Sequence, residues 1–367
     1  MSFYFIKDIQ TSTENGVYYP AFNDAWIQYV SSFGAGVTNS VITVTSNSDA
    51  FPSPFFVYPD KNTHFWFNLK ELAKAQFAGS EFQFTETDGL MRDVICKLDI
   101  EIAVYYNNGA NVDKTTRTFY FMKAVNQVGQ VWETPLFMSG KIINYFKGFP
   151  LYFQISQGKA LDNFRLYNEK HDEVSNLNGF VHGALTDNDV FSPSLSNYIE
   201  QRGLFNYPEE TFYLQPILKN EGYEPFEIRQ HDKCEGVYLR WINSNGGENY
   251  YLFDSEYVQT TRANSLDEVY RNDFRNVDAY VSRYRGLGRT AVRSLSIKAS
   301  VKKDVINLIE DLLISPNIEL YSSFTPDLNG SWLPVTLSNN FSKPSKNRNY
   351  IDVGLTITLP ELNTLHY

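Results

Sequence analysis

The sequence predicts a mainly β protein, built as two or more β-sandwich or split-barrel domains with a few short helices. Three observations carry this. The aromatic residues are nearly all Phe (28) and Tyr (25), and both favour strands. Several segments alternate apolar and polar residues with a period of two, the mark of a strand with one buried face. Only two stretches show helical spacing. At 367 residues, 43% of them hydrophobic, the chain can bury sizeable cores in two or three domains, and disorder is not expected.

The elements follow in order. "SVITVTSN" (40–47) is β-branched and alternating. "FPSPFFVYPD" (51–60) carries three prolines, which suit a loop or an edge strand. "FNLKELAKAQF" (67–77) reads as a short helix with Asn68 as N-cap and Leu69, Leu72, Ala73 and Gln76 at helical spacing. In 94–106, Val94, Cys96, Leu98, Ile100, Ile102 and Val104 share one strand face. "NNGAN" (107–111) makes the turn and "TTRTFYFMKA" (115–124) returns. Segments 140–156 and 209–218 read as strands, and 168–194 as a long polar loop of the kind that reaches a partner.

The run 237–253, "VYLRWINSNGGENYYLF", is a hairpin. Its Gly246 and Gly247 are placed to supply positive φ, and Trp241 and the flanking tyrosines give it bulk to bury. Further on, 295–301 alternates, and 304–315 is an amphipathic helix with Val305, Leu308, Ile309, Leu312 and Leu313 on one face, ended by Pro316. "YIDVGLTITLP" (350–360) closes the chain's pattern. A one-residue slip there exposes Ile351, Val353, Leu355, Ile357 and Leu359 together, so its register is firm. These elements group into an N-terminal β-sandwich (1–135), a central β domain with long loops and the hairpin (136–258), and a C-terminal α+β domain (259–367).

Chemistry is hard to find in this chain. Its five His residues, at 64, 171, 182, 231 and 366, form no metal-binding spacing. His231, Asp232, Cys234 and Glu235 make half a metal site at most, with no second cluster to complete it. There is no GxSxG elbow. "GLG" (286–288) lacks the strand and helix of a phosphate loop. The pairs Asp99/Glu101 and Glu209/Glu210 fit solvated strand faces. Cys96 and Cys234 fit buried free thiols. No catalytic residue, cofactor or metal ligand is assigned. The start, MSFYFIKDIQ, has no basic n-region or long apolar core, so no secretory signal is expected, and no stretch is long and apolar enough to span a membrane.

One charge feature stands out. Between 262 and 303 lie Arg262, Arg271, Arg275, Arg283, Arg285, Arg289, Arg293, Lys298, Lys302 and Lys303, against Asp267, Glu268, Asp273 and Asp278. Ten minus four leaves +6 in a chain of net charge −10. Such a segment suits contact with nucleic acid. It suits better an interface with an acidic neighbour, because Arg forms bidentate pairs with carboxylates and the rest of the same chain is acidic. The candidate assembly residues are therefore Trp241, Tyr250 and Tyr251 of the hairpin, with Arg262, Arg271, Arg275, Arg283, Arg285, Arg289 and Arg293. Solvent-exposed Trp and Tyr in a groove would point instead to a glycan- or receptor-binding module.

Several stretches together resemble a known group. "YYPAFNDAWIQYVSS", "FWFNLKELAK", "KCEGVYLRWINSNGGENYYLF" and "LLISPNIELY…WLPVTL" occur in an order similar to that in proteins of phages and prophages of Bacteroidetes-type bacteria. The central motif is carried here by Cys234, Tyr238, Leu239, Trp241, Asn243, Gly246, Gly247, Tyr251 and Phe253. The resemblance implies a virion structural protein of the tail or baseplate. Such a protein is made in the host cytoplasm, forms homo-oligomers and contacts other virion proteins, with viral DNA near 262–303 as a further contact.

Overall fold

The alternation in the sequence becomes antiparallel pairing in the structure. A computed structural model describes residues 3–11, 18–31, 36–45, 54–77, 84, 89–91, 94–106, 109, 111–126, 140–156, 161–176, 190–192, 194–196, 199, 211–218, 221–222, 224–232, 235–270, 284–321, 331–338 and 349–362. The protein is mainly β, with several sheets in β-sandwich-like layers and two short helices, Lys70–Gln76 and Ile306–Ile314. The sequence suggested three segments, but the chain falls into two compact units. Met1–Asp232 with Ile242–Asn249 form the first, and Lys233–Trp241 with Tyr250–Tyr367 the second.

In the first unit a three-stranded sheet is ordered Phe3–Lys7, Trp26–Ser31, Phe65–Asn68. A five-stranded sheet is ordered Tyr19–Pro20, Asn111–Met122, Ile95–Tyr106, Val37–Val44, Phe55–Val57. Ile27, Tyr29 and Phe65 of the first sheet share one core with Ile42, Val44, Leu98, Ile100, Ile102, Val104, Phe119 and Phe121 of the second. Each such side chain stabilises the fold by about 1.5–3 kcal/mol on burial. The long hairpin keeps register from Ile95↔Met122 to Tyr106↔Asn111. Of the face expected from the sequence, Leu98, Ile100, Ile102 and Val104 are fully buried. Ile95, expected on the other face, is buried too, in a second cluster with Tyr18, Val94, Met122, Ala124 and Ile242. The proline-rich run supplies the edge strand Phe55–Val57, as prolines require.

Two local expectations are corrected here. Asn68 ends a strand, and the helix begins at Lys70 with Leu69 at the N-cap position. The Asn68 Oδ1 still accepts from Lys70 N–H at 3.0 Å and from Ala25 N–H at 2.9 Å. The run 168–194 is also less irregular than its polarity suggests. Leu161–Tyr167 pairs with Glu173–Asn176 across a turn that Asn168 builds, its side chain accepting from Lys170 and Asp172 N–H at 2.9 Å each. The rest of that run, 177–189 and 193, lies outside the described residues. The pair belongs to a third sheet of this unit, ordered Ile142–Phe146, Phe226–His231, Thr211–Leu218, Leu161–Tyr167, Glu173–Asn176. Phe153 packs edge-on against Phe164 and Phe226 there, at 5.3 and 5.2 Å.

The second unit is built on a seven-stranded sheet. Its order is Glu248–Phe253, Val237–Ile242, Ile318–Tyr321, Trp332–Leu337, Tyr350–Thr358, Arg289–Lys302, Val258–Ser265. Ile351, Val353, Leu355, Ile357 and Leu359 are all buried. Tyr350–Thr358 pairs with Arg289–Lys302 from Ser294↔Thr358 to Lys302↔Tyr350 without a shift. The helix buries Ile306, Ile309, Leu312 and Asp311, with Val305 just ahead of it, while Leu308 and Leu313 are half-buried. A 3₁₀ turn at Lys303–Val305 precedes it. That turn is tighter than an α turn and rotates the buried stripe away from the expected one.

Candidate assembly surface

The hairpin 237–253 turns inward. Every residue of Val237–Ile242 is buried, and so is all of Glu248–Phe253 except Tyr251. Trp241 is 0% exposed and Tyr250 is 3% exposed. Tyr238 stacks with Tyr250 at 6.1 Å and meets Trp332 at 5.8 Å. The Arg240 guanidinium lies 4.2 Å over the Trp332 ring and contacts Glu319 with Nη2 and Nε at 2.6 and 2.8 Å. Trp241 and Tyr250 thus pack inside their own chain and have no surface to offer a neighbour. Tyr251 is half-buried, and burial pushes its hydroxyl up to about 12.

The hairpin's tip belongs to the first unit. Asn243 organises it, its Oδ1 accepting from Asn245 and Gly247 N–H at 2.9 and 3.1 Å. The Ser244 carbonyl accepts from Val125 N–H at 2.8 Å, and the Gln154 Oε1 accepts from Glu248 N–H at 3.2 Å. Gly246 holds φ +82°, and a Cβ there would sit 2.6 Å from the Lys123 carbonyl oxygen. Gly247 does not adopt positive φ, so only one of the two glycines expected to do so is needed for that reason.

The Arg-rich segment forms something else. Val258–Ser265 pairs with 289–296 through eight consecutive register positions, from Val258↔Ser296 to Ser265↔Arg289. The ribbon continues as Glu268–Tyr270 paired with Tyr284–Gly286, joined by Leu266 N–H to the Gly288 carbonyl and Leu287 N–H to the Asp267 carbonyl, at 3.0 and 2.9 Å. It is one arm. Along Ala291–Ser296 the inner strand is held on its other edge too, by Tyr350–Thr358 from Ser294 and by Leu359 and Leu362 N–H to the Arg293 and Ala291 carbonyls at 2.9 Å each, so the arm is two-stranded only from Arg289 outward. Arg262 sits on one face, opposite Val292. Arg289 and Arg293 sit on the other, opposite Ser265 and Thr261. That second face continues the row of Leu295, Ile297, Ala299 and Val301, all buried. The core row therefore ends at Leu295, and beyond it the same face carries Arg293, Ala291 and Arg289.

All eight residues of Val258–Ser265 are exposed, on both faces. The strand is terminal in its sheet, and among the described residues no strand pairs with its far edge. Arg262 and Arg289 are exposed and have no ion-pair partner among the described residues, and the Arg293 Nε is buried without an acceptor. Arg285 lies in the strand Tyr284–Gly286. Arg271, Arg275 and Arg283 lie outside the described residues. The strand Val258–Ser265 was not foreseen from the sequence. With both faces wet, "VQTTRANS" shows no alternation to read. Its only signals are β-branched residues and the absence of Gly and Pro.

Among the described residues no group of three or more His, Cys, Asp or Glu could hold a metal ion. The His231 Nε2 lies 2.9 Å from the Asn144 Oδ1, and its ring stacks on Phe146 at 4.8 Å, which is a packing role. Cys234 lies outside the described residues. Cys96 packs against the sandwich core, and burial pushes its thiol up to about 12, away from nucleophilic use. Burial likewise raises the Tyr29 hydroxyl, which donates to the Ser40 Oγ at 2.9 Å. Asp60 is held below the ordinary carboxylate range, first by the His64 backbone N–H and further by Asn62 N–H and the Trp66 indole. These are structural arrangements. No described helix is long and apolar enough to cross a membrane.

Comparison with known proteins adds little. No protein-family model matches the chain, and no curated protein matches it. Among solved structures, the fibronectin(III)-like modules of Clostridium thermocellum CbhA align at 6% identity and TM-score 0.22, over 63% of this chain and 94% of that one. Titin A168–A169 aligns at 10% identity and TM-score 0.23, over 63% and 100%. A tetra-tandem repeat from the extending region of a large adhesion protein aligns at 8% identity and TM-score 0.19, over 93% and 71%. Scores this low carry no argument about role, and the β-sandwich character stands on the chain's own strands.

Proposed function

We propose that the protein is a bacteriophage virion structural component, of the tail or baseplate kind, that works through oligomeric contacts without catalysis. The observation that carries this reading is the exposed edge strand Val258–Ser265. All eight of its residues are exposed, and an eight-residue strand at the end of a sheet is a template for another chain. The arm is also cationic within an acidic chain, which favours an acidic protein partner over bulk solvent. The sequence resemblance to virion proteins supports the biological setting. The test is the mass distribution of the purified full chain by mass photometry and light scattering. Discrete multimers are expected, and a strict monomer at high concentration overturns the reading.

A second reading, a glycan- or receptor-binding module, is favoured by one observation. Trp26 and Trp66 are 40% and 43% exposed on the outward face of the three-stranded sheet, with Trp66 paired beside Gln28. Exposed indoles can stack on sugar rings. Binding on a glycan array that is lost with Trp26→Ala and Trp66→Ala would support it, and an array with no hits would remove it.

A further inference from the structure

We infer that the open edge of Val258–Ser265 is completed by the strand Glu173–Asn176 of a second copy of this chain, an inference that rests on the assembly reading above.

Consider first what the edge offers. In an antiparallel ladder alternate residues turn their N–H and C=O groups to opposite sides. About four of the eight residues in Val258–Ser265 therefore point both groups away from the paired strand. Proteins usually blunt such an edge with proline, a bulge or closely spaced charges. Val258–Ser265 has no proline, no register shift and a single charge, Arg262. Nothing in the strand itself discourages pairing.

Charge selects the partner. The segment 262–303 carries +6, so the remainder of the chain carries −16, since −10 − 6 = −16. Two arms facing each other would oppose Arg to Arg, which disfavours a symmetric arm-to-arm contact. A head-to-tail contact avoids this. Glu173–Asn176 is terminal in its own sheet, and among the described residues no strand pairs with its outer edge either. Its flank carries exposed Glu169, Asp172 and Glu173 against one cation, Lys170. One chain thus presents a basic open edge and an acidic open edge, on different sheets. A heterologous contact of this kind repeats from copy to copy and closes into a ring or extends as a filament according to its rotation.

The experiment uses the full chain and two charge-reversed variants, Arg262→Glu/Arg289→Glu and Asp172→Arg/Glu173→Arg. All four positions are exposed, so folding is checked simply by circular dichroism. Self-association is read by mass photometry and sedimentation. Each variant alone should self-associate about tenfold more weakly or worse than the native chain. An equimolar mixture of the two should regain assembly, because every arm then meets an edge of opposite sign. If the native chain assembles and the arm variant assembles equally well, the inference fails while the assembly reading stands. If each variant is monomeric and the mixture stays monomeric, the acidic strand is not the partner and the inference is overturned. A native chain that is itself monomeric sinks the assembly reading. Should the arm variant lose affinity for duplex DNA with self-association unchanged, the arm serves nucleic acid, and the inference is again overturned.

Discussion

Two glycines offer a controlled measurement of what the hairpin tip contributes. Gly109 and Gly246 have nearly the same backbone conformation, φ +87° and +82°. A Cβ at Gly109 meets nothing within 4 Å, whereas at Gly246 it meets the Lys123 carbonyl oxygen at 2.6 Å, well short of the 3.4 Å where ordinary contact begins. In either alanine variant the left-handed conformation costs about 1–2 kcal/mol, and the stiffer unfolded chain returns about 0.4–1 kcal/mol. Gly109→Ala should therefore cost about 1 kcal/mol. Gly246→Ala must also push backbone against backbone, and overpacking of that kind costs about 1–3 kcal/mol more. Its total is then about 2–4 kcal/mol. Urea unfolding followed by circular dichroism measures both. Amide exchange at Val125, whose N–H donates to the Ser244 carbonyl, reports the tip directly. It should quicken in Gly246→Ala and stay unchanged in Gly109→Ala. Equal losses of stability, with Val125 protected in both, would show that the tip is not wedged under Lys123 and would refute the reasoning.

Three further outcomes follow from the structure. Leu355→Ala, in the closing strand and 1% exposed, should lower unfolding free energy by about 2–5 kcal/mol, while exposed Gly354→Ala, with nothing within 4 Å of its new Cβ, should change little; calorimetry distinguishes them. Glu319→Ala deprives the buried Arg240 guanidinium of its carboxylate and should cost about 3–5 kcal/mol, much of it recovered in Arg240→Met/Glu319→Leu, as denaturant titration will show. Cys96, Tyr29 and Tyr251 all have folded pKa values raised above their ordinary 9.0 and 10.0 by burial. Their contribution is whole below about pH 9 and is lost as pH rises toward 12, at about 1.4 kcal/mol per pH unit for each group; stability curves between pH 8 and 11 should fall, and less steeply between 9 and 10 in Cys96→Ala.

How much of this was legible in the sequence depends on how local each cause is. The register of Ile95–Tyr106 with Asn111–Met122, and the five buried residues of the closing strand, follow from alternation within a dozen residues. Phe55–Val57 at a sheet edge follows from its prolines. The fate of Trp241 was not legible as an interface or a core, because an indole in a hairpin suits both until the chain around it is placed. The tip's burial depends on Lys123 and Val125, over a hundred residues away, so polar "NSNGG" reads as an exposed turn. The Arg cluster was visible as charge. Its form as an arm was not, because a strand solvated on both faces leaves no hydrophobic period.

The shared hairpin bears on how this protein can be cut or made. Because Ile242–Asn249 belong to the first unit while the residues on either side belong to the second, no single break in the chain yields both pieces whole. A product ending at Asp232 lacks the plug that supplies Ile242 to its core cluster and the carbonyl that Val125 requires. On the ribosome, the first unit must likewise wait until residue 249 has emerged before its last wedge can seat.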